Sequence, residues 1–308
     1  MIEISNLTKY LGKNSVISNF SFAAQRQECL GLFGVEGAGK TILLKMISGS
    51  IRPTSGRVNI LGFDTQSHRT QACKAIGYQP ESGINHPSMS VFSLLNFIAT
   101  LRGFHGIEKR SRVGRAASRL ELSSVLSYPV HTLPPGHKRR VALAQAILHD
   151  PGVLLLDEPG EGLAPHQQDK IRTLIQSLTE EMTVIVASRD CEALSGICTR
   201  ALVIGSGRLL ADTSVPELQR GSRHFQAVTL AAESHLDLLA LAVLPGVAGI
   251  EEHRHSPGTV TVLAMPGHTI YPSICALIAN RNWQISSLKL EPGRLNDVVH
   301  QLSQEAPH

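Results

Sequence analysis

One octapeptide constrains the fold of this chain more than any other stretch. Residues 34–41 read Gly-Val-Glu-Gly-Ala-Gly-Lys-Thr and fit the pattern G-x-x-x-x-G-K-[ST]. The apolar residues 29–33 before it predict a buried strand, and the apolar-periodic run from Ile42 predicts a helix. Because a strand, a glycine-rich turn and a helix are the setting in which this pattern binds phosphate, we predict a phosphate loop rather than a glycine-rich turn with a surface lysine.

Each residue type in this loop has a chemical role. Glycines let backbone N–H groups turn inward around an anion, and a helix beginning near Lys40 directs its positive dipole end at the same point. Lys40 is expected to reach the outer phosphates of a nucleotide, and the Thr41 hydroxyl to hold Mg²⁺, which prefers oxygen ligands. The predicted nucleotide-binding residues here are Gly34, Val35, Glu36, Gly37, Ala38, Gly39, Lys40, Thr41 and Ile42.

A second stretch with related chemistry lies at residues 153–158. It reads Val-Leu-Leu-Leu-Asp-Glu, which predicts a fully buried parallel strand with two carboxylates at its carboxyl end. In a phosphate-loop protein, Asp157 is the expected outer ligand of Mg²⁺. Glu158 is the expected base that orients a water for attack on the γ-phosphate.

Length and composition restrict the other possibilities. The chain has 308 residues, of which 42% are hydrophobic and 18% charged, and this is ordinary for a soluble globular protein of about two domains. The net charge of +4 is small and the basic residues are spread out, so no nucleic-acid partner is expected. The densest basic cluster is predicted to be a solvated helix face and consists of Lys109, Arg110, Arg112, Arg115 and Arg119.

Cysteine usage and apolar runs bear on two further classes of protein. The five cysteines are widely spaced and form no C-x-x-C pair, which argues against a disulfide framework or zinc site and indicates a reducing compartment. The N-terminus has no charged-then-apolar leader, and the apolar region 238–250 contains Pro245 and is too short to span a bilayer. Any membrane role would therefore need a partner chain.

The pattern of residues 1–220 predicts an α/β domain. Alternating apolar residues predict an N-terminal hairpin with a turn at 12–14, and residues 88–150 are helical in pattern and predict a helical subdomain. Tyr10 lies just before the turn and is a candidate to stack on a nucleotide base. A half-exposed strand tyrosine is about equally expected from the residue type.

Residues 221–308 predict a second, smaller α+β domain. Their order of strand, helix, strand, strand, helix and strand is a doubled βαβ pattern, and a short helix follows from Leu295. His253 and His255 lie two residues apart near Gly258. A solvated hairpin end is favoured over a metal site there, because no cysteine or carboxylate ligand set accompanies the two histidines.

Taken together, residues 1–220 resemble the ATP-binding subunit of an ABC transporter, because the motifs occur in that family's order and spacing. The matching segments are the phosphate loop at 34–41, the signature at 133–144, the acidic motif at 154–158, the loop after it at 161–165 and the switch region at 187–190. Residues 221–308 resemble the ferredoxin-like domain appended to ATPases of ABC-2-type exporters and the similar gliding-motility proteins. The resemblance therefore implies an exporter ATPase.

Several positions depart from the family's pattern. Pro134 and Pro135 stand at the signature serine and one signature glycine, and proline has no N–H with which to cap ATP on a partner subunit. Arg189 stands at the switch histidine that contacts the γ-phosphate. Ala164 replaces the aspartate that links the two sites of a dimer, and Glu81 replaces the glutamine between the metal site and the membrane partner.

The resemblance also implies cofactors, partners and a location. ATP and Mg²⁺ are the implied cofactors, and a transmembrane permease and a second ATP-binding subunit are the implied partners at the cytoplasmic face of the inner or plasma membrane. The implied catalytic residues are Glu158, Lys40 and Arg189, and the implied metal ligands are Thr41, Asp157 and Glu81. The family's stacking aromatic falls at Leu11, with Tyr10 one residue earlier.

Two functions remain open from the sequence. The first is a transport ATPase whose turnover is weak in isolation, since the signature prolines cannot cap a partner's ATP. The second is a structural or regulatory subunit that binds ATP with little or no hydrolysis. The presence of Glu158 favours the first, and the departures at the signature and switch favour the second.

Overall fold

The computed structural model describes residues 1–83, 88–232, 236–253, 256 and 258–305. It divides into two compact units, of which the first comprises Met1–Asp212 together with the chain from Leu302 onward and the second comprises Thr213–Gln301. The division falls after Asp212, so the boundary predicted near Arg220 lies inside the second unit. The reason is that the helix ending at Arg220 packs against the last strand of the second unit.

The first unit contains two sheets and six helices of the described chain. Its strands are β1 (Ile2–Leu11), β2 (Asn14–Ala24), β3 (Cys29–Phe33), β4 (Ser55–Ile60), β5 (Phe63–Asp64), β6 (Ile76–Gln79), β7 (Val153–Asp157), β8 (Thr183–Ser188), β9 (Arg200–Gly205) and β10 (Arg208–Ser214). Its helices are α1 (Lys40–Ile47), α2 (Arg69–Ala75), α3 (Val91–Leu101), α4 (Gly106–Arg119), α5 (Pro135–Ile147) and α6 (Pro165–Thr179).

The larger sheet fixes the position of the predicted site. Its strand order is β10-β9-β3-β8-β7-β6, and β3, β6, β7, β8 and β9 pair in parallel. Every residue of β3, β7 and β8 is buried, as expected for strands covered on both faces. Since the carboxyl ends of parallel strands meet at one edge, the segments after β3, β7 and β8 come together there.

The smaller sheet is antiparallel, with the order β2-β1-β4-β5. Its first two strands form the predicted N-terminal hairpin, joined at Gly12 and Lys13. Helix α1 contributes Leu43, Leu44 and Met46 to a buried core that both sheets share. The start of α1 is thereby held beside the edge where β3 ends.

The helical subdomain is present, with shifted boundaries. Helix α3 begins after Ser90, whose hydroxyl accepts a hydrogen bond from the Ser93 N–H. Helix α5 begins at Pro135, because proline is well suited to the first position of a helix. Helix α4 begins at Gly106, and the first three residues of its first turn are exposed.

The predicted solvated face of α4 is only partly correct. Arg112 and Arg115 both bind Asp150, with N–O distances of 2.6 and 2.7 Å, and Arg119 binds Glu181 at 2.8 Å. The two acids lie just before β7 and β8. These ion pairs join α4 to the edge of the sheet that lies opposite the predicted site.

Several elements had no signal in the sequence. They are α2, β5, β10 and the helix at Val215–Arg220. In α2, only Ala72 is buried, so no apolar stripe marks this helix.

The second unit has the topology of a ferredoxin-like domain. Its elements are α7 (Val215–Arg220), β11 (Phe225–Ala232), α8 (Leu238–Ala242), β12 (Val247–Glu252), β13 (Thr259–Ala264), α9 (Tyr271–Arg281), β14 (Ile285–Pro292) and α10 (Leu295–Glu305), which ends in the first unit. The strands pair antiparallel in the order β12-β13-β11-β14, as a doubled βαβ unit requires.

The predicted histidine pair is described only in part. Strand β12 ends at Glu252, just before the pair, and His255 lies outside the described residues. His253 follows β12, and its Nε2 lies 2.8 Å from the Thr261 hydroxyl.

His149 gives the fold a testable dependence on pH. It is buried at the end of the helical subdomain, and its Nε2 lies 2.9 Å from the Ile76 carbonyl oxygen. Burial lowers the pKa of His149 to about 4. Because a histidine in an unfolded chain titrates near pH 6.5, the neutral ring stabilises the fold above about pH 6.5, and this stabilisation is lost as the pH falls toward about 4.

We expect His149→Gln to weaken the pH dependence of stability. Between about pH 7.5 and about pH 5, the wild-type chain should lose roughly 2 kcal/mol more of its free energy of unfolding than the variant. Urea titrations at both pH values measure this difference. The exposed His166, replaced by glutamine, is the control, and equal pH dependence in all three proteins would contradict the assignment.

Candidate functional site

The predicted loop lines a cavity of about 180 Å³ at the carboxyl edge of the parallel sheet. Residues 36–42 form one wall, and Glu81, Glu158 and Arg189 complete the lining. These groups come from the segments after β3, β6, β7 and β8. The fold thus brings together residues that lie far apart in the sequence.

Lys40 is held over the loop by the loop's own backbone. Its Nζ donates hydrogen bonds to the carbonyl oxygens of Gly34 at 2.7 Å and Val35 at 3.1 Å, and lies 3.9 Å from Glu158 Oε1. Burial lowers the pKa of the Lys40 ammonium, and the charge of Glu158 acts in the opposite direction. The side chain is therefore placed to meet an anion that enters the cavity.

Asp157 ends β7 beneath the cavity and is fully buried. No hydrogen bond of normal geometry reaches either carboxylate oxygen from the described residues, although the Thr41 and Tyr78 hydroxyls lie close to it. Burial raises the pKa of this carboxyl, while the Thr41 hydroxyl and the Lys40 ammonium oppose the rise. Because an unpartnered buried carboxylate is costly, a bound cation fits this position.

The donor set also fits Mg²⁺ in particular. Asp157, Glu81 and the Thr41 hydroxyl offer hard oxygen ligands, which this ion prefers. Within the described ranges, no group of three or more His, Cys, Asp or Glu side chains could hold a metal by itself. Mg²⁺ at this place would thus also take oxygen ligands from phosphate and water.

Glu158 is the first residue after β7 and has an unusual backbone conformation. Its φ of 47° lies in the left-handed region, and its N–H donates to the Ala187 carbonyl oxygen at 3.0 Å. The Ser188 hydroxyl donates to Oε2 of Glu158 at 3.3 Å. Burial raises the pKa of this carboxyl, and the charges of Lys40 and Arg189 counter the rise. Such a strained and buried carboxylate is typical of a functional site.

Arg189 contacts three acidic side chains. Its Nε lies 3.5 Å from Glu158 Oε1, its Nη1 lies 3.2 Å from Glu36 Oε2, and its Nη2 forms an ion pair with Glu161. Arg189 thereby connects the phosphate loop with the segment after β7.

Arg139 is a site residue that the sequence analysis missed. This residue of α5 donates from Nη1 to the Glu81 carbonyl oxygen at 3.1 Å and from Nη2 to the Glu161 carbonyl oxygen at 3.2 Å. Burial lowers the pKa of its guanidinium, and the nearby carboxylates of Glu81, Glu158 and Asp157 act against this. In the sequence, Arg139 lies in a run of three basic residues, 138–140. Nothing in that run indicated that Arg139 is the one that contacts the site.

Other predicted positions lie outside this cavity. Tyr10 is half exposed and does not line the cavity, and Leu11 is exposed as well. Pro134 caps α5 and Pro135 is its first residue, so the segment at the signature position does begin a helix. Ala164 caps α6 without a side-chain hydrogen bond.

Comparison with known proteins identifies the class. The profile of the ABC transporter family matches residues 17–161. The chain is 34% identical over 215 residues to the Nod factor export ATP-binding protein I of Rhizobium etli, and the alignment covers 68% of this chain and 67% of that protein. The chain therefore belongs to the ABC transporter family and is one of its ATP-binding proteins.

Other similar proteins differ in how much of them is matched. The chain is 30% identical over 222 residues to the probable multidrug ABC transporter ATP-binding protein YbhF of Escherichia coli, covering 72% of this chain but only 38% of that protein. Among solved structures, CbiO1 of Clostridium perfringens, described as part of the ABC transporter complex cbiONQ, is 26% identical with a TM-score of 0.64. That match covers 70% of this chain and 89% of CbiO1.

The loop geometry predicts different costs for two glycine substitutions. A Cβ atom at Gly34 would lie 2.3 Å from the Ile204 carbonyl oxygen, whereas a Cβ atom at Gly37 would meet nothing within 4 Å. We expect Gly34→Ala to lower the free energy of unfolding by about 3 kcal/mol through overpacking. Gly37→Ala, the matched control, should cost about 1 kcal/mol because its φ of +76° is left-handed. Urea denaturation measures both, and equal losses would argue against the steric account.

Proposed function

We propose that this chain is the ATPase subunit of an ABC-2-type exporter and drives a membrane permease by binding and hydrolysing ATP. One observation carries the proposal: Lys40, the unpartnered Asp157 and the strained Glu158 converge on the phosphate loop. The exporter class is supported by similarity to proteins named for Nod factor export and linearmycin resistance. The latter, LnrL of Bacillus subtilis, is 27% identical over 82% of this chain and 83% of its own length.

In this proposal, each side chain of the cavity has a defined task. The loop N–H groups and Lys40 bind the phosphates, and Arg189 stabilises charge on the γ-phosphate. Thr41, Asp157 and Glu81 would hold Mg²⁺, which neutralises phosphate charge when bound. Glu158 orients the attacking water and accepts its proton.

The start of α5 limits how well this chain can cap ATP on another subunit. Pro134 and Pro135 have no N–H, so the first turn offers only the N–H groups from Gly136 and His137 onward. We therefore propose weak turnover for the chain alone and a second ATP-binding subunit as partner. A different subunit with an intact signature would supply the missing donors, whereas an identical one would not.

The proposed setting is the cytoplasmic face of the inner or plasma membrane. No helix of the described chain has both the length and the apolar character needed to cross a bilayer. In the proposal, a permease subunit provides the membrane-spanning part.

Turnover and affinity together test the proposed function. We would measure ATP affinity and steady-state hydrolysis on the chain alone and on the complex purified with its native partners. Glu158→Gln should lower turnover of the complex at least about a hundredfold and leave ATP affinity within about threefold, because the base acts on water rather than on binding. Lys40→Ala should weaken ATP binding itself.

The alternative is a subunit in which bound ATP stabilises a complex without routine hydrolysis. The specific observation in its favour is the pair of prolines at the start of α5. Tight Mg-ATP binding without Glu158-dependent turnover in either sample would establish this alternative.

Arg139 gives a separate prediction. Because its guanidinium joins the Glu81 and Glu161 carbonyl oxygens, Arg139→Gln should loosen both loops, so that ATP binding needs more Mg²⁺. Loss of charged hydrogen bonds of this kind corresponds to roughly a tenfold rise in the Mg²⁺ concentration needed for half-maximal binding.

The neighbouring Arg140 provides the control for this measurement. Arg140 lies on the same helix and pairs with Glu121, away from the cavity. Arg140→Gln should therefore leave the Mg²⁺ requirement unchanged, and a similar shift in both variants would show that the effect comes from helix stability.

A further inference from the structure

The guanidinium of Arg189 is paired with carboxylates in this structure. Its Nη1 binds Glu36, a residue of the phosphate loop, and its Nη2 binds Glu161, in the segment after β7. Only its Nε faces Glu158. The outer nitrogens, which form the fork that best recognises a phosphate, are thus occupied by two acids.

The three acidic partners differ in how firmly they can hold Arg189. The side chain of Glu36 is 85% exposed and that of Glu161 is 36% exposed, whereas that of Glu158 is 8% exposed. Exposed ion pairs contribute little to stability because water and salt screen them. The contacts with Glu36 and Glu161 are therefore the ones that a stronger anion can replace.

Glu36 also has an electrostatic effect of its own. It places a negative charge in a loop that binds phosphates, next to the cavity that Lys40 and Arg189 line. Pairing with Arg189 offsets this charge. A terminal phosphate has more charge than a carboxylate and binds an arginine fork with two oxygens, so it competes for the same nitrogens.

We infer that Glu36 and Glu161 hold Arg189 until a nucleoside triphosphate displaces them, and that this exchange sets the preference of the site between ATP and ADP. The inference rests on the proposed function, since it assumes that nucleotide binds beside Lys40. ATP must break both carboxylate contacts to engage Arg189, and ADP, which lacks the γ-phosphate, leaves them intact. The two acids thus weaken the binding of ATP but not of ADP. The conformation in which Arg189 pairs with the acids competes with the one that binds ATP, and this lowers the apparent affinity for ATP.

The test is the ratio of two dissociation constants on the full chain. Isothermal titration with Mg-ADP and with the Mg complex of AMP-PNP, a non-hydrolysable ATP analogue, gives this ratio without any measurement of turnover. Glu36→Gln and Glu161→Gln should each strengthen AMP-PNP binding relative to ADP about threefold, the size expected for loss of a partly exposed ion pair. Glu3→Gln, an exposed acid of β1, controls for net charge and should leave the ratio unchanged.

An Arg189→Gln background shows whether the effect acts through the guanidinium. In that background, Glu36→Gln and Glu161→Gln should no longer change the ratio, because the group for which they compete is gone. A selective weakening of AMP-PNP binding by Glu36→Gln would overturn the inference and make Glu36 a residue that positions Arg189. A ratio that stays at the wild-type value in both single variants would overturn it as well.

Failure of the proposed function has a different signature. If wild-type chain binds neither nucleotide, or if binding survives Lys40→Ala, then nucleotide does not occupy this cavity, and both the proposed function and the inference are wrong. If binding depends on Lys40 and only the ratio fails to respond, the proposed function stands and the inference alone is wrong.

Discussion

The burial of two carboxylates at the end of one strand is the constraint on which this site depends. Transfer of an acid into the interior is costly unless a cation or hydrogen-bond donor compensates for it. Glu158 has Lys40, Arg189 and Ser188 nearby, whereas Asp157 has no hydrogen-bond partner in the described chain. Asp157 is thus the less compensated of the two carboxyls, and a bound cation would offset the cost of burying it.

Local patterns predicted the parts of the site that depend on local structure. The phosphate loop follows a buried strand and precedes α1, and the acidic pair ends a second buried strand. In a parallel sheet, strand direction alone brings such segments to one edge. The signature position was recognised from the family's order of motifs, and in the structure α5 begins there, at Pro135. The ferredoxin-like order followed from the alternation of elements in the second unit.

Contacts between distant segments were not predictable in this way. Arg139 lies 58 residues from Glu81 and 22 from Glu161, and helical periodicity gives the face of α5 but not the loops opposite that face. The ion pairs of Arg112 with Asp150 and of Arg119 with Glu181 could not be predicted for the same reason. Tyr10 lies outside the cavity and is half exposed, so its stacking on a base stays a prediction.

The division after Asp212 decides where the chain can be cut between its two units. Helix α7 packs against β14 of the second unit, and its Val215 and Leu218 are buried. A chain cut near Arg220 would keep α7 without the strand against which it packs. Loss of stability after such a cut would accordingly say nothing about the role of the ferredoxin-like domain.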